Sequence, residues 1–301
     1  MGISQYIKEI GRGKRGARPL SREHAADLFG QVLDGTVTDL EIGAFCVAMR
    51  IKGETTEEMA GFLDATAARL NRVSAAGSQP IVVLPSYNGA RRLPVLTPLL
   101  ALLVAKRGLP VMIHGTATES SRVFVPDVLA QLGIHARARI EPVADGEAVY
   151  VPTELLCPGL KRLLDVRRTI GVRGSAHSLV KLMNPCASPA VIVASYTHAE
   201  YAVSMAAVFE LMKSTALLLR GTEGEAVADA RRLPQMDGFV RGERVTLEAG
   251  RKGTAADVPD LPKEIAPEHT AAYIRSVLDG STPLPESLSV QVEHILRLAH
   301  S

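Results

Sequence analysis

The sequence predicts an α/β protein in two parts. One is a small all-helical domain; the other is a larger α/β domain with a mostly parallel central sheet flanked by helices. Three observations predict this. Helix start and stop signals recur at short intervals over residues 21–72. Beyond them, short β-branched apolar runs alternate with longer helical patterns. The chain has 301 residues and is 47% hydrophobic, enough for a large core and a smaller one.

Residues 1–20 end in GRGKRGARPL, glycine-rich and basic, and are predicted as a flexible arm carrying Lys14, Arg15 and Arg18. Ser21 caps a helix that runs to Asp34, with Gly35 just past its end. Thr38 with Glu41, and Thr55 with Glu58, form capping-box patterns, and Gly53 closes the helix between them. Within that helix Ile42, Phe45, Cys46 and Met49 recur at helical spacing. The helical domain is therefore assigned to 21–72, joined in part by 157–185, and 78–156 with 186–301 form the α/β domain. Its strands are read at IVVLP (81–85), LPVMIH (109–114), AVYVP (148–152), AVIVAS (190–195) and TALLLRG (215–221). Helical patterns fill 96–107, 121–132 and 199–213. Ligands of such sheets sit beyond the carboxyl ends of strands, here PSYNGARR, HGTATESSR, VASYTHAE and RGTEGEA.

Composition excludes several classes. With no Trp and 4% aromatic residues, the core is built from Leu, Val, Ile and Ala. No apolar run approaches the ~20 residues of a membrane helix, and the N-terminus shows no signal-peptide core, so a cytoplasmic protein with no membrane partner is expected. Cys46, Cys157 and Cys186 are widely spaced and odd in number, as buried free thiols are.

The net charge is +2, but it is unevenly placed. Residues 86–181 hold thirteen Lys and Arg against seven acids, and residues 161–173 alone hold Lys161, Arg162, Arg167, Arg168 and Arg173 against Asp165. In that segment Leu160, Leu163 and Leu164 make an apolar stripe, so the helix offers one face to a core and a basic face to something else.

The hairpin LDGTVTDLEIGAFCVAMRIKGETTEEMAGFL, the strand ending in His114-Gly115, and GVRGSAHSLVKLMNP together resemble the anthranilate phosphoribosyltransferase family (glycosyltransferase family 3 fold), nearly end to end. The resemblance implies phosphoribosyl pyrophosphate and magnesium as ligands and a homodimer formed through the small helical domain. It also implies a set of motifs, and most are altered here. Gly-Thr-Gly-Gly-Asp after the first strand falls on Leu84, Pro85, Ser86, Tyr87 and Asn88. Bulk and a proline replace the glycines that let a diphosphate approach the backbone. Lys-His-Gly-Asn-Arg falls on Ile113, His114, Gly115, Thr116 and Ala117, without either cation, and Asn-x-Ser-Thr falls on Pro94, Val95, Leu96 and Thr97. The Asp-Glu magnesium pair falls on Gly224 and Glu225, with Glu223 beside it as a weak stand-in, so no metal site is assigned. Arg173 stands where the family's arginine faces the aromatic substrate.

A polyanion needs cations or metal to offset its desolvation. The phosphate site, with Ser86, Tyr87, Asn88, His114, Gly115, Thr116 and Ser120 as its remnants, therefore reads as vestigial, and His114 as structural. The pattern resembles the YbiB-like branch of the family, which implies a homodimer that binds DNA or RNA without sequence preference, in a basic groove at the former active-site cleft. Candidate contacts are Lys161, Arg162, Arg167, Arg168, Arg173, Arg91 and Arg92, then Arg122, Lys14, Arg15 and Arg18. No catalytic residue and no cofactor is expected. The alternative is a phosphoribosyltransferase or nucleoside phosphorylase of altered specificity, with magnesium, binding a phosphate near His114, Thr116 and Ser120.

Overall fold

The computed structural model describes residues 2–13, 15–255 and 258–301. These form two compact units: residues 1–71 with 153–185, and residues 72–152 with 186–301.

The first unit is helical. It holds α1 (Ser4–Ile10), α2 (Arg22–Asp34), α3 (Asp39–Lys52) and α4 (Thr56–Ala67), then α7 (Thr153–Leu156), α8 (Pro158–Ile170) and α9 (Ala176–Leu179). The caps lie where the sequence signals them. Ser21 accepts from the His24 N–H, and both capping boxes close, Thr38 with Glu41 and Thr55 with Glu58. Three phenylalanines centre the core. Phe29 and Phe62 stack with centroids 4.6 Å apart, and Phe45 stands edge-on to both. α8 lies close on α2 because Gly159 has no side chain: a Cβ there would lie 2.1 Å from the Leu33 carbonyl oxygen.

The described residues of this N-terminal stretch, 2–13 and 15–20, are packed rather than a flexible arm. Ile3, Tyr6 and Ile10 are buried, the Tyr6 hydroxyl donates to Asp27 at 2.6 Å, and the Leu20 N–H donates to Glu58. A one-turn apolar spacing within a basic segment places this stretch on the helical core. Arg15 and Arg18 are exposed, and Lys14 lies outside the described residues.

In the second unit the sheet of the described residues has seven strands in the order β3-β2-β1-β4-β5-β6-β7. They are β1 (Ile81–Ser86), β2 (Val111–Gly115), β3 (Ala148–Pro152), β4 (Ala190–Tyr196), β5 (Ala216–Arg220), β6 (Met236–Val240) and β7 (Glu243–Glu248). β1 to β5 are parallel, and β6 and β7 add an antiparallel hairpin. α5 (Thr97–Lys106), α6 (Val125–Gln131), α10 (Ala199–Leu211), α11 (Pro267–Leu278) and α12 (Glu286–Ala299) flank the sheet. β1 has β2 on one side and β4 on the other, so the strand order reverses here and the carboxyl ends of β1 and β4 open a crevice. No helix among the described residues is long and apolar enough to cross a membrane. All three cysteines are buried and free, and burial raises the Cys46 thiol to about 11 and that of Cys186 to about 12.

Glu58 ties the helical unit together. Its carboxylate is fully buried and accepts from the N–H groups of Leu20 and Thr55, the Thr55 hydroxyl, and Lys52 Nζ at 2.6 Å. Glu58→Ala strands these donors and is expected to lower the unfolding free energy by about 3–5 kcal/mol in urea titration. A loss below about 1 kcal/mol, the worth of an exposed pair, would refute that role.

Candidate functional site

The β1 carboxyl end runs into Tyr87-Asn88-Gly89-Ala90, a turn that needs Gly89 in the left-handed region at φ +67°. Two carboxylates from the loop after β5 grip this turn through its backbone. Glu225, only 2% exposed, accepts from the Asn88 and Gly89 N–H groups, both at 2.8 Å, and from the Thr97 hydroxyl at 3.2 Å. Glu223 accepts from the Arg91 N–H at 2.6 Å and the Arg92 N–H at 3.2 Å. Asn88 Nδ2 donates to the Glu223 carbonyl, and Ser195 Oγ donates to that of Gly224. Glu223 itself sits in the left-handed region, φ 51°, which is uncommon for a residue with a side chain. The turn thus presents a row of N–H donors, as an anion-binding nest does. The protein's own carboxylates fill it.

The neighbouring strand is equally committed. The Gly115 backbone approaches Ser86 so closely that a Cβ would lie 1.9 Å from the Ser86 carbonyl oxygen. His114 is fully buried, its Nδ1 2.8 Å from the Tyr87 hydroxyl and its Nε2 without a hydrogen-bond partner. Burial pushes its pKa down to about 3, so the imidazole is neutral and offers a phosphate no charge. Thr116 is 8% exposed, Ser120 is open to solvent, and Thr118 Oγ1 donates to the Tyr87 carbonyl.

Glu223 and Glu225 do not fit a magnesium site as they stand. Their oxygens are taken by amides and a hydroxyl, and the described residues hold no cluster of three or more metal-ligating side chains. Position 224 shows why. A Cβ on Gly224 would lie 1.9 Å from Asn88 Nδ2, so no aspartate fits there while the turn keeps this shape.

The candidate cations separate into working groups. In the second unit the Arg91 and Arg92 side chains are exposed, whereas Arg122 is bound up with Glu119 and the Asn88 carbonyl. Arg122 holds the turn rather than a ligand. In the first unit Arg162 donates to the carbonyls of Val32 and Leu33 at the end of α2, capping that helix. Lys161 pairs with Asp165. Arg168, with its side chain 62% exposed, is 3.6 Å from the same carboxylate. Arg167 and Arg173 are half-buried, and both depress His177. His177 is a residue that sequence reasoning misses. It lines a small cleft with Phe45, Cys46, Leu163, Arg167 and Ile170, both its ring nitrogens are buried without partners, and burial first, then the two arginines, lowers it to about 4. A lone histidine in a four-residue helix carries no sequence signal for this.

Two buried neutral histidines predict a stability that rises with pH. Their folded pKa values lie below the unfolded value of 6.5, so between about pH 4 and 6.5 the unfolded chain binds protons that the folded chain cannot. Stability is expected to be full above pH 7 and to fall as pH drops. His114 accounts for roughly 2 kcal/mol at pH 5. Urea midpoints at pH 7.5 and pH 5 check this: the gap should narrow in a His114→Asn/His177→Asn variant, and an unchanged gap would refute the assignment.

The helical bundle domain of the glycosyl transferase family matches residues 4–69. The chain is 40% identical over 302 residues to the uncharacterized protein YbiB of Escherichia coli strain K12, covering 97% of this chain and 92% of that protein. It is 31% identical to an anthranilate phosphoribosyltransferase of Methylobacterium sp. strain 4-46, over 92% of this chain and 82% of the relative. Its fold matches anthranilate phosphoribosyltransferase from Thermus thermophilus with a TM-score of 0.76 at 23% identity, covering 98% of this chain and 89% of that one. The Saccharomyces cerevisiae enzyme, solved with PRPP and Mg, gives 0.73 at 14% identity, covering 99% and 88%. The helical unit, the reversed strand order and the end-to-end similarity agree, and the chain belongs to the anthranilate phosphoribosyltransferase family.

Proposed function

We propose that this chain is a non-enzymatic, sequence-tolerant binder of nucleic-acid phosphate backbone built on the phosphoribosyltransferase fold. The observation that carries the reading is the pair of carboxylates seated on the turn after β1. A diphosphate would have to displace Glu223 and Glu225 from four backbone N–H groups, each charge-assisted bond worth about 1.5–3 kcal/mol. It would then lie beside the two displaced carboxylates, whose charge repels it. A small polyanion is badly served there.

A long phosphate backbone is served differently. It needs spaced surface cations, not an enclosed pocket, and gains affinity through counterion release. Each unit offers such cations: Arg91 and Arg92 in the second, and Arg168, with the half-buried Arg167 and Arg173, around α8 in the first, where Arg15 and Arg18 are exposed as well. The second reading, a phosphoribosyltransferase of altered specificity or a nucleoside phosphorylase, is favoured by one observation. The similarity to anthranilate phosphoribosyltransferases spans 92% of the chain.

Binding to labelled single-stranded and duplex oligonucleotides, titrated with salt, separates the two. The log–log slope should be about −0.7 to −0.9 per phosphate contacted and should flatten in Arg91→Ala/Arg92→Ala and in Arg168→Ala/Arg173→Ala. No phosphoribosyl transfer to anthranilate should be detectable. Transfer with turnover, or absence of binding at low salt, would overturn the proposal.

The same reading includes a homodimer through the helical unit. Leu40, Val47 and Ile51 of α3 are 84%, 45% and 68% exposed and follow one helical stripe, an apolar face that a second copy would cover. Sedimentation should give a dimer for the wild type and a monomer for Leu40→Asp/Ile51→Asp. A wild-type monomer at micromolar concentration would refute it.

A further inference from the structure

α10 begins where β4 ends, and its two halves differ. The second half buries Met205, Ala206, Val208 and Phe209. The first half leaves Tyr201 36% and Val203 72% exposed, and His198, just before the helix, is open to solvent. The His198 and Tyr201 rings face each other at 6.3 Å between centroids, inclined by 50°. Tyr87, by contrast, is buried against His114, so it cannot meet a ligand.

Three arginines stand on segments next to the one that carries this ring pair. Arg220, exposed at the end of β5, is the register partner of Tyr196, two residues before His198. Arg91 and Arg92 connect through Glu223, which holds their N–H groups, and Gly224, whose Cβ position would lie 3.2 Å from Thr197 Cγ2. Among the described residues no carboxylate pairs with the guanidinium groups of Arg91, Arg92 or Arg220. The Glu223 carboxylate is engaged by amides, which leaves Glu200 as the acid in the first turn of α10. Exposed rings with arginines on the neighbouring segments match an alternation of bases and phosphates.

We propose that His198 and Tyr201 form a stacking platform for the unpaired bases of single-stranded nucleic acid, with Arg91, Arg92 and Arg220 holding the adjacent phosphates. The inference rests on the nucleic-acid reading above and narrows it. A duplex keeps its base faces stacked inside and can offer the ring pair only phosphates and sugars, whereas a single strand can lay a base on each ring. The tyrosine hydroxyl has no part in this; the ring face does.

The test uses the full chain and two fluorescein-labelled probes, an oligothymidylate of about 20 nucleotides and a duplex of equal length, a span a binding groove can cover. His198→Ala/Tyr201→Ala should weaken single-strand binding about tenfold or more, from stacking lost on two rings, and duplex binding less than twofold. Tyr201→Phe should keep wild-type affinity for both, and Arg91→Ala/Arg92→Ala should weaken both. Equal loss on the two probes, or no loss, overturns the platform while leaving the nucleic-acid reading intact. A wild type that binds neither probe overturns both. The exposed positions of both rings let the variants fold, which thermal denaturation checks directly.

Discussion

The grip of Glu225 and Glu223 on the N–H groups of residues 88–92 shapes the carboxyl edge of the sheet. It fixes the turn after β1, and Arg122 and Thr118 then settle on the carbonyls of Asn88 and Tyr87. It also decides the identity of residue 224, because the space a side chain would need is filled by Asn88. A nest of amides attracts an anion whatever its source. In this protein that anion is covalently attached, so it is present at an effective concentration no free phosphate reaches.

The same logic sorts the charges of the helical unit. A tally of Lys and Arg over 161–173 describes a strongly basic helix, yet Arg162 is committed to the end of α2 and Lys161 to Asp165. A guanidinium with five donors is well suited to a helix end that leaves carbonyls unpaired. The part of the basic face that can meet a partner is therefore smaller than the composition suggests.

Legibility along the chain followed the range of the forces. Ser21, Thr38 and Thr55 were readable as caps because a cap acts over three residues, and the structure puts each hydroxyl on its N–H. The five parallel strands were readable because burial on both faces demands unbroken apolar runs. The hairpin β6–β7 was not: Asp237 and Gly238 interrupt one strand, and the other is largely solvent-facing, so neither carries that pattern. α1 was hidden by its basic surroundings, although Ile3, Tyr6 and Ile10 already held its buried face.

By itself the sequence determined the caps of α2, α3 and α4 and the parallel strands, because each is written in residues close together along the chain. Only the tertiary structure decided what meets the amides of the turn after β1. Asn88 and Glu225 are 137 positions apart, and no local propensity links them. They meet because β1, β4 and β5 run parallel side by side, which brings the loops after β1 and β5 to one edge of the sheet. A buried amide without an acceptor is costly there, and a carboxylate within reach satisfies it.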